Sequence, residues 1–353
     1  MRIYQGDPAM TIARSELIDV SVTRWYHCMT RCVRRALLLG DGLLDRKQWA
    51  EDRLEDLAQI FAVGVGGFSV MDNHLHLLLR LDPDVAAGWS DDEVVRRWGR
   101  LYPPRDKSRQ ALPISEDWVQ GKLKDIPWVA KTRVRLQSIS WFMKCLKEPI
   151  SRRANREDKC RGAFFEARFK SVAILDEEAL LATSTYIDLN PVAAKIAEVP
   201  ETSEHTSIKS RIDHVKAQDA TARLEAAQGG SVAGSQAASG LEEALWLCPI
   251  EDRRQVDSSR EGMFEGLSVG NYLLLVDYTG RLFREGKARI SAELAGILDR
   301  IGGSAEGWQV RMEKLKNGRS FGRFFAASRD KLRELAKRLK VRHLVNLVGC
   351  AAP

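Results

Sequence analysis

The chain has 353 residues, 44% of them apolar and 29% charged, with a formal net charge of +7 at pH 7. That length implies two or three folded units, and that balance belongs to a globular protein able to fold without disulfides or a structural metal. No apolar run reaches the roughly 18 residues of a bilayer span, no export leader is readable, and six scattered cysteines complete no zinc knuckle, so the expectation is a cytoplasmic protein with reduced thiols and no membrane partner.

In chain order, 24–33 is rich in β-formers and reads as a first strand. Asp45 then serves as an N-cap, and Ala50, Leu54, Leu57, Ala58 and Phe61 recur on one helical face. After Gly66 and Gly67, Phe68 to Met71 and His74 to Leu81 read as two antiparallel strands joined by a tight turn at Asp72 and Asn73. The stretch 83–131 has weak periodicity, prolines and charge, and is expected to be an insertion packed outside the core.

Leu136, Ile139, Met143, Leu146 and Ile150 form the seam of a packed helix, with Lys144, Lys147, Arg152 and Arg153 off it. Between Lys131 and Lys170 twelve Lys or Arg side chains face four acids, so the basic excess is concentrated there and favours a polyanionic partner. Phe164 to Ile174 is strand-like, and Asp176 caps a helix that runs through Tyr186 to about Asn190, where Pro191 ends or restarts it.

Gln228 to Gly240 is small, polar and Gly-rich, the composition of a linker. The division expected is therefore 18–227, a linker at 228–240, and a mainly helical unit over 241–353 with helices near Ala292 to Ile301, Trp308 to Leu315 and Ser328 to Val341. The last of these is basic through Arg329, Lys331, Arg333, Lys337, Arg338 and Lys340, which fits either DNA contact or a solvated face.

Two elements carry chemistry. Side chains two apart on a strand share a face, so His74 and His76 project together while Leu75, Leu77 and Leu79 point the other way. Two neutral imidazoles at this spacing can hold one divalent ion and leave positions open, although a lone His-x-His is more often surface or satisfied core. The remaining four histidines offer no third ligand by spacing. Tyr186 and Asn190 share a helical face if the helix persists to Asn190. A phenol is a usable nucleophile, but ionising one at pH 7 costs about 4 kcal/mol, which a nearby base or a metal-polarised phosphate must offset.

The run Met71-Asp72-Asn73-His74-Leu75-His76-Leu77-Leu78-Leu79 resembles the Met-x-Asn-His-x-His-Leu-Leu signature of the HUH transposases. Arg168-Phe169-Lys170-Ser171 and Tyr186-Ile187-Asp188-Leu189-Asn190-Pro191-Val192 resemble two blocks of the REP-associated tyrosine transposases, and Tyr26, His27, Thr30 and Arg31 resemble the opening strand. The resemblance spans roughly 18–205, interrupted by the insertion. Phe164 and Phe165 stand where the family often has tryptophan, and Ala193 where it has arginine, which bears on local DNA contacts more than on chemistry.

What the resemblance implies is an α+β, ferredoxin-like antiparallel sheet with helices, the HUH endonuclease fold. His74, His76 and Asn190 would hold Mg²⁺ or Mn²⁺. Tyr186 would attack a phosphodiester of single-stranded DNA beside a palindromic hairpin, forming a 5′-phosphotyrosine link. Arg168 and Lys170, with Arg152, Arg153 and Arg156, are the candidate DNA contacts. Three rivals are a domesticated hairpin-binding regulator, a relaxase or replication-initiator nickase, and a purely structural or protein-binding module with no DNA affinity; the second commonly uses three histidines, and no third is visible near this pair. Whether the protein is a monomer or homodimer is not readable.

Overall fold

Alternation builds the first strand of the computed structural model, which describes residues 18–40, 45–223, 240–256, 259–285, 298, 304–316, 324–326 and 328–338. In β1 (Trp25–Arg31) Tyr26 and Cys28 are buried on one face and His27 on the other. The helix α1 (Arg46–Ile60) starts where expected: the Asp45 carboxylate accepts from the Gln48 N–H at 3.0 Å, closing an otherwise orphan donor. Phe61 falls on its C-cap, one residue beyond the helix.

The hairpin β2 (Val63–Val70) and β3 (His74–Leu81) is present, but β2 begins well before the expected Phe68. Its glycines are strand positions rather than a turn. A Cβ on Gly66 would lie 2.7 Å from the Trp25 ring and one on Gly64 2.6 Å from Cys248 Sγ, so these residues admit neighbours to the backbone, and the register shifts between Val65 and Gly67.

With β4 (Lys170–Ile174) and β7 (Phe324–Phe325) the sheet runs β2-β3-β1-β4-β7. Each neighbouring pair among the first four strands is antiparallel, and β7 adds a short parallel edge to β4. Threading β1, helix, β2, β3, helices, β4 in this order is the β-α-β-β-α-β connectivity of ferredoxin-like sheets, so the architecture is α+β.

The sheet is covered on both sides. Against the leucine face, lined by Leu75, Leu77, Leu79, Tyr26 and Cys28, lie α1 and α6 (Ile139–Glu157), the latter through Phe142, Met143, Leu146 and Ile150. The stretch expected to sit outside the core joins them. It folds as α2 (Pro83–Gly88), α3 (Asp91–Leu101), α4 (Glu116–Leu123) and α5 (Ile126–Leu136), and Val94, Val95, Trp98, Val119 and Val129 are buried in the same apolar cluster. α2, α4 and α5 carry few buried residues each, whereas α3 sets Val94, Val95, Trp98 and Leu101 on one face, a periodic signal the sequence did hold. Their serine and aspartate caps were the better sign: Ser90 accepts from Glu93 N at 3.1 Å and Asp125 from Trp128 N at 3.0 Å.

Against the opposite, histidine face packs α7 (Glu177–Asp188), capped by Asp176 on the Ala179 N–H at 2.8 Å. Leu189 then leaves helical geometry and α8 (Asn190–Ala193) restarts, with Pro191 at a position where its missing N–H costs nothing. Next come α9 (Ser207–Ala217) and a two-stranded parallel ribbon of β5 (Glu251–Asp252) and β6 (Phe264–Glu265). They are followed by α10 (Val269–Glu285), α11 (Ala305–Lys316) and α12 (Arg329–Arg338).

The helices expected at 308–315 and 328–341 correspond to α11 and α12; the one at 292–301 and the linker at 228–239 lie outside the described residues, apart from Leu298. Helix α10 was not anticipated. Leu241, Ile250, Tyr272, Val276, Trp308 and Met312 share one apolar cluster with Leu181, Ile187 and Val172, so residues from 241 onward bury the same face of the sheet as α7. No helix among the described residues is long and apolar enough to cross a membrane. None of the described cysteines forms a disulfide.

Candidate active site

The period of two in β3 puts His74 and His76 on one face, their ring centroids 4.9 Å apart, while Leu75, Leu77 and Leu79 are buried on the other. Strand pairing sets what stands beside them. His76 lies opposite Met29, and Met29 opposite Lys170, in one row across three strands; His74 lies opposite Arg31 in the next. From the layer above, α7 lowers the half-buried Tyr186 ring to 5.6 Å from His76 and 6.2 Å from His27. The break at Leu189 then turns the buried Asn190 side chain back to hydrogen-bond both Tyr186 and His74.

Hydrogen bonds fix the imidazoles. The Asn73 amide donates from Nδ2 to the Arg35 carbonyl at 3.0 Å, which turns its Oδ1 toward His74 Nδ1, 2.6 Å away. An oxygen acceptor there requires the proton on His74 Nδ1 and leaves a lone pair on Nε2. In His76 it is again Nδ1 that is occupied, by His27 Nε2 at 2.8 Å. Burial drives all three rings toward the neutral form: His27 is pushed down to about 3, His74 to about 4 with the Arg31 charge adding to the effect, and His76 well below the ordinary value by burial and its two neighbouring histidines.

These features fit a divalent cation. Asn190 Nδ2 is buried without a hydrogen-bond partner, so the amide oxygen is the atom turned toward His74, which puts one oxygen and two imidazoles, all uncharged, at one point. Among the described residues no group of three His, Cys, Asp or Glu side chains converges as a metal site, so an ion here would take two nitrogens, one amide oxygen and ligands from substrate or water.

Tyr186 is a poor acid in this setting. Burial raises its pKa above the ordinary 10, and the Asn190 hydrogen bond and the Arg31 charge act in the opposite sense. At rest the group is a neutral phenol.

The structure therefore gathers Tyr186, His74, His76 and Asn190, with Lys170 exposed at the end of the His76 row, two strand spacings or about 10 Å away. Arg168 is exposed in a bend ahead of β4, not on the strand beside Lys170 as expected, because the chain from Phe164 to Phe169 makes only a single bridge, Phe165 to Cys32. Arg152, Arg153 and Arg156 ride on α6, across the sheet from Tyr186. There Arg152 pairs with Glu148, Arg153 stacks 3.6 Å over Trp49, and Arg156 is exposed.

Two residues escaped the spacing argument. His27 does stand beside the pair, which corrects the expectation that no third histidine lies near it. Arg31 carries a positive charge that acts on Tyr186, His74 and His76. Both sit at odd positions of β1, and only the β1–β3 register, which spacing does not encode, brings them here.

No family model matches the sequence, and no curated protein matches it. A solved structure, that of a REP-associated tyrosine transposase bound to a REP hairpin, aligns at 12% identity over 54% of this chain and 78% of that chain, with a TM-score of 0.32. A likeness this shallow carries no weight for activity.

Proposed function

We propose that this protein is a metal-dependent single-strand DNA transesterase that cleaves and rejoins DNA beside palindromic hairpins, with Tyr186 as nucleophile. The observation that supports it above all is the convergence of one phenol, two neutral imidazoles and one amide from β3, α7 and α8 on a single point of the sheet.

His74, His76 and Asn190 would hold Mg²⁺ or Mn²⁺, which when bound supplies Lewis-acid polarisation of a non-bridging phosphate oxygen. Tyr186 provides the attacking oxygen: its bond to phosphorus forms as the bond from phosphorus to the 3′ oxygen breaks. The phenolic proton leaves to solvent and the departing 3′ oxygen takes one up. The ester is conserved in the exchange, so reversal needs no nucleotide triphosphate. Arg31, whose charge already favours the phenolate, stands where it would oppose the negative charge of the incoming phosphate. Lys170 and Arg168 would hold the strand on either side of the cut.

The test is a hairpin oligonucleotide with a single-stranded flank, labelled at its 3′ end and run on a denaturing gel with Mn²⁺. Wild-type protein is expected to carry the label covalently, and Tyr186→Phe to bind the hairpin with no adduct. An adduct that persists in Tyr186→Phe removes the nucleophile; hairpin binding without any adduct in wild type supports a regulator that occupies DNA. Cutting of an origin-bearing plasmid in preference to the hairpin supports a nickase.

A further inference from the structure

We propose that His27 is a positioning residue that fixes the tautomer and ring orientation of His76, so that His76 Nε2 presents its lone pair to a cation. The inference rests on the metal reading for its purpose, but its structural content stands on contacts between two side chains.

His27 is fully buried on β1, two residues before Met29, which is the cross-strand partner of His76. Its Nε2 lies 2.8 Å from His76 Nδ1, with the rings stacked at 5.1 Å and 27° apart. Two neutral imidazoles joined in this way share one proton. If His27 donates, the proton of His76 sits on Nε2 and no lone pair faces the site. If His76 donates from Nδ1, His27 accepts and Nε2 is free.

The neighbouring ring shows which arrangement the site uses. The Asn73 oxygen, 2.6 Å from His74 Nδ1, favours the His74 proton on that nitrogen, and the Nδ1–H form of His76 then gives two matched Nε2 donors. Ligand histidines are commonly held by an acceptor on the nitrogen remote from the metal, and loss of such an acceptor typically costs about 10- to 100-fold in metal affinity. Here the acceptor is itself an imidazole, buried under the ligand.

His27→Phe keeps an aromatic ring of similar breadth and leaves His76 Nδ1 without its acceptor. His27→Gln keeps an acceptor oxygen at about the reach of Nε2. Two measurements on folded protein, checked by thermal melting, decide the matter. Ring nitrogen shifts of His76 by two-dimensional ¹⁵N NMR in metal-free protein should show the Nδ1–H tautomer in wild type and in His27→Gln, and its loss in His27→Phe. Mn²⁺ affinity by electron paramagnetic resonance titration should fall about 10- to 100-fold in His27→Phe, with most of that loss recovered in His27→Gln.

A wild-type His76 protonated on Nε2, or a His27→Phe protein that keeps the Nδ1–H form, overturns the proposal. So does Mn²⁺ affinity unchanged by His27→Phe. If wild type shows the expected tautomer yet binds no Mn²⁺, the metal reading fails and the positioning role of His27 stands.

Discussion

Tyr272→Phe deletes one hydroxyl, and the surroundings of that hydroxyl set the cost. Tyr272 is fully buried on α10; its OH donates to Asp188 Oδ2 and lies 2.8 Å from Ser184 Oγ. Asp188 Oδ1 meanwhile accepts from Ser207 Oγ at 2.5 Å and from the Ile208 N–H at 3.0 Å, at the start of α9. The variant leaves the carboxylate with two of its three donors, so the loss is that of one hydrogen bond to a charged acceptor, about 2 kcal/mol. For a chain of 353 residues, at about 1–2 °C per kcal/mol, the melting temperature should fall by about 2–4 °C.

The same node predicts how that loss varies with pH. Burial raises the Asp188 pKa, opposed by Ser207 and Tyr272, so the folded value lies above the unfolded one. Its contribution is therefore fully present below the unfolded value and is lost as pH rises through the folded one. Removing a donor raises the folded value further, and the gap between Tyr272→Phe and wild type should be wider at pH 8 than at pH 4. Urea unfolding at both pH values measures it. A variant within about 0.5 kcal/mol of wild type at pH 8, the range of an inert surface change, refutes the reasoning. Because Asp188 lies between Tyr186 and Asn190, adduct formation should fall more than hairpin affinity.

Other outcomes follow from the same contacts. In EDTA, His74, held at about 4 when folded against 6.5 when unfolded, contributes stability that is present above pH 6.5 and lost as pH falls, about 2 kcal/mol by pH 5 in a urea titration. Arg311→Met strands the buried Glu178 of α7 and should cost about 3–5 kcal/mol, most of it recovered by adding Glu178→Gln. Gly66→Ala forces a methyl into the Trp25 ring and should lower stability by about 1–3 kcal/mol in thermal melts. Hairpin affinity should fall linearly with log salt at about −0.7 per phosphate neutralised on single strands, and a flat response in a binding titration would remove the basic surface from recognition.

What was legible in the sequence is what depends on local period and local chemistry. The alternation around His74 and His76 and the Asp45 and Asp176 caps each involve residues within a few positions of one another, and each is found where expected. The Tyr186–Asn190 pairing was expected from an unbroken helix. It arises instead because the chain breaks at Leu189 and Asn190 folds back, a geometry no helical wheel contains.

The illegible part is set by register and by partners distant in the chain, and it concentrates around the tyrosine. His27 and Arg31 reach the site because β1 pairs antiparallel with β3 so that Arg31 faces His74; sliding β1 by one residue would bring Thr30 and Cys28 to that face and remove both. The support of α7 comes from residues far along the chain: Tyr272 holds Asp188, Arg311 holds Glu178, and Phe324 and Phe325 extend the sheet beside β4. A buried arginine opposite a buried glutamate is stable only while both are present, so the part of the chain carrying Arg311 is tied energetically to the helix carrying Tyr186. A fragment ending at 227 would leave Glu178 and Asp188 short of their partners, and is expected to hold its tyrosine helix less rigidly than the full chain does.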